Sequence, residues 1–177
     1  MTRLADLGPR ICIFGPSNSG KSTLAEAIGA ARGLEVIHLD RLSHKPDTDW
    51  EERPKAEFAA LHDQAILGER WVMDGNYSRL VPRRLERATG AIRLEASTAT
   101  CLLRYFRRTL WEKDRIGALD GRKDSVKWLM VHHIAVYTPK HRARAVQMFD
   151  AIELPKIRLS SGREIDRFYR AENLRRA

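Results

Sequence analysis

Long apolar runs are missing from this 177-residue chain, and none approaches the length of a membrane span. The opening Met1-Thr2-Arg3-Leu4-Ala5-Asp6 also lacks the apolar stretch of a secretory signal, so a cytoplasmic location and no membrane partner are expected. Cysteine is scarce. Cys12 and Cys101 are the only two, which fits a reducing compartment and predicts buried thiols, one in a first strand and one in an apolar helix. No zinc-ligand spacing occurs, and the adjacent His132 and His133 would point in different directions from one helix. Helix-turn-helix and RNA-recognition signatures, basic stripes interleaved with aromatics, and a guanine-reading Asn-Lys-x-Asp are absent too. A nucleotide-dependent nucleic-acid-binding or regulatory protein is thereby left as the second reading, and a GTPase-like switch as the last. Internal repeats, low-complexity segments and linkers are not found, which predicts one domain over residues 1–177.

Positive charge, by contrast, is plentiful: 32 lysines and arginines against 23 acidic residues give a net charge of +9. These charges scatter through Arg83-Arg84, Arg104, Arg107-Arg108, Lys140 to Arg144 and Arg175-Arg176 rather than forming one block. Nucleic acid, an anionic surface or phosphate-bearing substrates would each suit such an excess, so charge alone does not choose a partner.

The decisive feature is Gly15-Pro16-Ser17-Asn18-Ser19-Gly20-Lys21-Ser22, which fits G-x-x-x-x-G-K-[ST] at every fixed position. It follows the apolar Ile11-Cys12-Ile13-Phe14 and precedes the helix-like Ser22-Thr23-Leu24-Ala25-Glu26-Ala27-Ile28. A strand feeding a glycine-rich turn that opens a helix aims successive backbone N–H groups and the positive helix end at one point. Lys21 adds a mobile cation there, and the Ser22 hydroxyl can ligate magnesium, so residues 15–23 predict a triphosphate site for ATP and Mg²⁺.

Five short apolar runs read as strands: Arg10–Phe14, Leu34–Leu39, Arg70–Met73, Ala91–Glu95 and Lys156–Ser160. Helical patterns separate them, the alternation of an α/β fold whose parallel sheet is covered on both faces. Gly33 should cap the first helix, and Pro54 should start one carrying Phe58, Leu61, Ala65 and Ile66 on one side. A helix from about Ser97 to Trp111 has an apolar face of Leu102, Leu103, Phe106 and Leu110. Another, Val126 to Val136, should break near Pro139 and resume toward Phe149. Between them, residues 112–123 are polar and hold Gly117 and Gly121, a composition that suits a mobile lid.

Ligands of open parallel sheets bind beyond the carboxyl ends of the strands. Those ends carry the phosphate loop, His38-Leu39-Asp40 and Asp74-Gly75-Asn76-Tyr77. Asp74, following Trp71-Val72-Met73, has the form of a second nucleotide-binding motif and is expected to hold magnesium with Ser22. Asp40 has three open roles: a share in metal binding, acceptance of a proton from an acceptor hydroxyl, or a helix or turn cap. His38 reads as an ordinary strand histidine. Phosphoryl transfer needs positive charge around the moving oxygens. Arg104, Arg108, Arg115 and Arg122 flank or occupy the lid segment, with Arg115 and Arg122 the candidates for catalysis and Arg108 for the nucleotide at the lid's base. Arg41 and Arg53 in an insert of about residues 41–69, with Arg79 and Arg83 after the third strand, could clamp an anionic acceptor.

In the order phosphate loop, His-Leu-Asp at 38–40, Trp50 with Pro54, and Met73-Asp74-Gly75-Asn76-Tyr77, the chain resembles the adenylate-kinase-like P-loop proteins called FlaR-like or DNA topology modulation proteins. Tyr137-Thr138-Pro139-Lys140-His141-Arg142 is similar to a Tyr-Pro-Lys-x-x-Arg element of that family. The resemblance implies a three-layer P-loop NTPase fold with strand order 2-3-1-4-5, an acceptor-binding insert after strand 2 and a lid after strand 4. It carries Gly15, Gly20, Lys21 and Ser22 to triphosphate binding, and Asp74 to the Asp of the adenylate-kinase Asp-Gly-Phe-Pro-Arg motif. Asn76-Tyr77-Ser78-Arg79 replaces Phe-Pro-Arg there, so Asn76, Tyr77 and Arg79 become candidate acceptor contacts while the adenylate-kinase acceptor itself does not transfer. The leading expectation is ATP- and magnesium-dependent phosphoryl transfer to a small molecule, a nucleotide or related anion.

Overall fold

The computed structural model of the protein describes residues 2–46, 48, 51–111 and 128–176, except the side chains of residues 108 and 111. Five strands form one parallel sheet: β1 (Arg10–Phe14), β2 (Glu35–His38), β3 (Trp71–Asp74), β4 (Gly90–Leu94) and β5 (Lys156–Leu159). Their order is β2-β3-β1-β4-β5. Each strand lies within a residue or so of its expected place, because a parallel strand buried on both faces reads as a short apolar run. Side chains alternate along β1. Ile11 and Ile13 join the core beneath α1 (Lys21–Arg32) and α8 (Gly162–Ala171), whereas Cys12 and Phe14 join a second core with Trp71, Met73 and Phe149. Both cysteines are buried free thiols.

The connections place the site. α1 leaves the loop after β1 and ends at Gly33 in the left-handed conformation, φ +61°. α2 (Leu39–Ser43) starts directly after β2, and the chain returns through a bridge between His44 and Glu52 to Pro54, the N-cap of α3 (Lys55–Ala65). α4 (Val81–Arg87) follows β3 and α5 (Thr98–Trp111) follows β4. From Trp128 to Asp150 the helix is continuous: α6 (Trp128–His132), a π-helical turn His133–Tyr137, and α7 (Thr138–Asp150). The expected break at Pro139 does not occur. The Thr138 N–H bonds to the His133 carbonyl in the π register, and this widened turn accommodates the proline that cannot donate. Residues 112–123, with Arg115 and Arg122, and the Arg108 side chain lie outside the described residues. Among the described residues no helix is long and apolar enough to cross a membrane.

Candidate active site at the carboxyl ends of the strands

The loop between β1 and α1 is built for close approach. Gly15 has φ +148°, and a Cβ there would lie 2.6 Å from the Leu94 carbonyl oxygen and 3.0 Å from Ser19 Oγ. The position therefore accepts only glycine without moving the β4 backbone. The Asn76 amide clamps the same residue. Its Oδ1 accepts from Gly15 N–H at 3.1 Å, and its Nδ2 donates to the Gly15 carbonyl at 2.9 Å. Lys21 Nζ donates to the Pro16 carbonyl at 2.8 Å, and Arg104, from α5, donates to the Ser19 carbonyl at 2.8 Å. Asn18 Oδ1 and Ser19 Oγ are buried with no hydrogen-bond partner among the described residues. Of the two, the Ser19 hydroxyl can donate to an anion, and the loop stands at the head of a twelve-residue helix, where backbone N–H groups and the helix dipole favour negative charge.

Beneath the loop lies a chain of ionisable groups. The Ser22 hydroxyl donates to Asp74 Oδ2 at 2.6 Å, and Asp74 Oδ1 lies 2.7 Å from His38 Nδ1. His38 Nε2 lies 3.0 Å from Glu26 Oε1 on α1. Parallel pairing explains the meeting, since His38 and Asp74 are register partners at the ends of β2 and β3. Burial opposes ionisation of Asp74, but the hydrogen bond and charge of His38, the Ser22 hydroxyl and Lys21 outweigh it and hold the carboxyl below its ordinary value. Burial likewise opposes protonation of His38, and the Asp74 and Glu26 contacts outweigh that and raise its pKa. Ser22 and Asp74 thus present hard oxygen donors at the phosphate loop, the donor type magnesium requires. Among the described residues no three or more His, Cys, Asp or Glu side chains group to hold a metal by themselves; the remaining ligands would come from phosphate oxygens and water.

A buried arginine shapes the third strand end. Arg84, on α4, has no exposed surface. Its guanidinium donates to the Gly75 carbonyl at 3.0 Å and the Asn76 carbonyl at 2.9 Å, and it stands 5.4 Å over the Phe14 ring. Burial pulls its pKa below arginine's ordinary value, with Cys12 and Asp74 opposing; an arginine starts so far above neutrality that it keeps its proton. Arg84 thereby fixes the backbone that aims Asp74 one way and Asn76 the other. The Asn76 amide, expected toward the acceptor, is turned to the phosphate loop instead.

Asp40 sits in the first turn of α2, exposed, and its Oδ1 accepts from the Tyr77 hydroxyl at 2.7 Å. Ser43 Oγ is 2.6 Å from the same hydroxyl. Tyr77 has φ +33°, a conformation that costs a bulky residue about 1–3 kcal/mol and marks a position constrained by its surroundings. Its ring packs edge-on against Phe58 of α3 at 4.9 Å, and burial, then the Asp40 charge, push its pKa up. Of the expected clamp, Arg41 and Arg79 are exposed and unpaired among the described residues. Arg53 donates to Glu57 at 2.5 Å, and Arg83 is tied to Asp63.

Sequence reasoning passed over a cavity of about 250 Å³ beyond β4 and β5. Glu95, Ser97 and Thr100 line one side, Ser161 and Gly162 at the start of α8 another, and Arg104 joins it to the phosphate loop. Glu95 is held by Arg93 at 3.3 Å, Arg158 at 2.9 Å and Arg142 at 3.5 Å. The serine pair before a helix start was the available signal: Ser161 Oγ accepts from the Glu164 N–H as an N-cap.

No protein-family model matches this chain, and no curated protein matches it in sequence. A gluconokinase from Sinorhizobium meliloti 1021 aligns with 15% identity and a TM-score of 0.45 over 82% of this chain and 98% of its own. Shikimate kinase from Acinetobacter baumannii, solved in complex with shikimate, is similar with a TM-score of 0.57 and 15% identity over 92% of this chain and 90% of its own. At that identity the likeness is one of architecture: the five-stranded parallel sheet and its flanking helices have the fold of a P-loop kinase.

Proposed function

We propose that this protein transfers the γ-phosphoryl group of magnesium-bound ATP to a small anionic acceptor. One observation carries the reading: Ser22 and Asp74, 2.6 Å apart, meet at the head of α1 beneath a loop whose buried Ser19 hydroxyl has no partner among the described residues. In that role the loop N–H groups and α1 cradle the β- and γ-phosphates, and Lys21 leaves the Pro16 carbonyl for the phosphate oxygens. Ser22 and Asp74 hold the metal, directly or through water; magnesium, when bound, neutralises charge that shifts during transfer. The cavity beside Arg104 is of a size to take part of the nucleoside, on the opposite side of the loop from Asp40.

On the acceptor side, in the insert spanning about residues 41–69 and the loop after β3, Asp40 offers a carboxylate oriented by Tyr77, with Arg41 and Arg79 exposed nearby in sequence. A carboxylate favours a hydroxyl and arginines favour an anion, so the pair supports an acceptor bearing both. Arg108, Arg115 and Arg122, with residues 112–123 as a closing lid, are our candidates for the cations that surround the moving group. The motif order through Asp74-Gly75-Asn76-Tyr77 supports a place in the FlaR-like group.

The test is acceptor-dependent ADP release. Nucleoside monophosphates, hydroxy acids, sugar acids and neutral polyols are offered with Mg·ATP, and products are weighed by mass spectrometry. A phosphorylated anionic compound is expected. Turnover only with neutral polyols, or with water alone across the panel, would contradict the assignment.

A further inference from the structure

His38 has no part in cradling phosphate or meeting the acceptor, yet it closes a ring of side chains. Ser22 and Glu26 stand one helical turn apart on α1, so both point to the same side. His38 and Asp74 are register partners on adjacent strands. The contacts run from Ser22 to Asp74 (2.6 Å), Asp74 to His38 (2.7 Å) and His38 to Glu26 (3.0 Å), and the helix completes the circuit. The His38 side chain is 4% exposed. A carboxylate whose two oxygens are held by different partners cannot rotate about its Cβ–Cγ bond. Ser22 alone would leave that rotation free, and the direction of Asp74 toward a metal would be lost with it.

We propose that His38 is a positioning residue for the metal site. Its Nδ1–H pins Asp74 Oδ1 so that Oδ2 faces Ser22, and Glu26, at Nε2, pins the imidazole. The assignment rests on the kinase reading above. Hydrogen-bonded groups behind a metal ligand generally matter, and their loss costs about ten- to a hundredfold in metal affinity.

Two substitutions separate positioning from support of the fold. In His38→Asn the amide nitrogen falls about where Nδ1 was, keeping Asp74 and losing Glu26. In His38→Gln it falls about where Nε2 was, keeping Glu26 and losing Asp74. Mn²⁺ is titrated into each protein saturated with a non-hydrolysable ATP analogue, with free Mn²⁺ read by electron paramagnetic resonance. Analogue affinity without metal and thermal melting are measured in parallel. His38→Asn is expected to bind Mn²⁺ within about threefold of wild type, and His38→Gln about tenfold or more weaker. Metal-free analogue affinity should be equal in all three. Equal Mn²⁺ affinities in the two variants, whether both retained or both lost, would overturn the assignment and leave the ring a structural tie. Should His38→Gln fail to melt cooperatively, Glu26→Ala replaces it at a position whose side chain is 39% exposed. A loss of about two- to threefold in Mn²⁺ affinity, the most that His38→Asn should show, is expected there, and no loss would overturn the proposal. Wild-type protein that binds no analogue would remove the kinase reading itself, and this assignment with it.

Discussion

Asn76→Ala removes both groups that clamp the Gly15 peptide, the acceptor at 3.1 Å and the donor at 2.9 Å. A typical intramolecular hydrogen bond contributes about 0.5–1.5 kcal/mol net, so two contribute about 1–3 kcal/mol. Gly15 is buried, which favours the upper part of that range, whereas the exposed Asn76 side chain lets water replace part of the loss. The energy acts locally. It holds one peptide of the loop in a conformation that Gly15, at φ +148°, adopts at the cost of backbone freedom. The loss should therefore appear in nucleotide affinity more than in global stability. At about 1.4 kcal/mol per factor of ten, the Kd for Mg·ATP should rise roughly five- to a hundredfold. Asn76→Asp is expected to do worse, because it sets a carboxylate against the Gly15 carbonyl and beside the incoming phosphates. Calorimetric titration with a non-hydrolysable analogue gives the affinities, and thermal melting separates them from unfolding. An Asn76→Ala protein with wild-type affinity and an intact fold would refute the argument that this amide preorganises the loop.

Stability should depend on pH through His38 and Asp74. Burial disfavours both charged forms, but their mutual contact, with Ser22 and Glu26, wins. The raised His38 contributes stability that is fully present below the ordinary histidine value of about 6.5 and is lost as pH rises through its folded value. The lowered Asp74 contributes stability present above the ordinary aspartate value of about 3.9 and lost as pH falls through its folded value. Urea denaturation of wild type should show weakening on the alkaline side of about pH 6.5 that His38→Gln lacks; parallel curves would contradict the pairing. Cys12, its thiol pushed up to about 11 by burial, and buried Cys101 should react with a thiol reagent only on unfolding; rapid labelling of native protein would contradict their packing. Tyr77→Phe removes the hydroxyl that orients Asp40, and is expected to lower acceptor turnover at unchanged Mg·ATP affinity. Equal loss of both would move Tyr77 to the nucleotide side.

The strands and the phosphate loop were legible because their signals are local: an apolar run of four or five residues, and a fixed spacing of glycine, lysine and serine. The sheet order came with the family resemblance, and the observed pairing agrees with it. His38 was illegible. A strand histidine acquires its partners only from the register of β2 against β3 and the rotation of α1, neither of which sequence period reveals. Arg84 was hidden for a related reason. In Arg83-Arg84 both residues look like surface charge, yet Arg83 pairs with Asp63 outside while Arg84 points into the core beneath Gly75. Asn76 belonged to a motif legible as a unit, but the direction of its amide depended on the backbone turn at Gly75, φ +128°, which Arg84 secures. Pro139 misled because proline usually ends a helix, and here a π turn just before it absorbs the missing donor.

The central claim is that the loop from Gly15 to Ser22 binds the phosphates of a magnesium–nucleotide complex. Calorimetric titration of a non-hydrolysable ATP analogue into wild type and Lys21→Ala, each with and without Mg²⁺, addresses it directly. Wild type should bind one equivalent with affinity that rises with magnesium, and Lys21→Ala, equally folded by melting, should bind weakly or not at all. Absence of binding to wild type, or equal binding by the two proteins, would contradict the account.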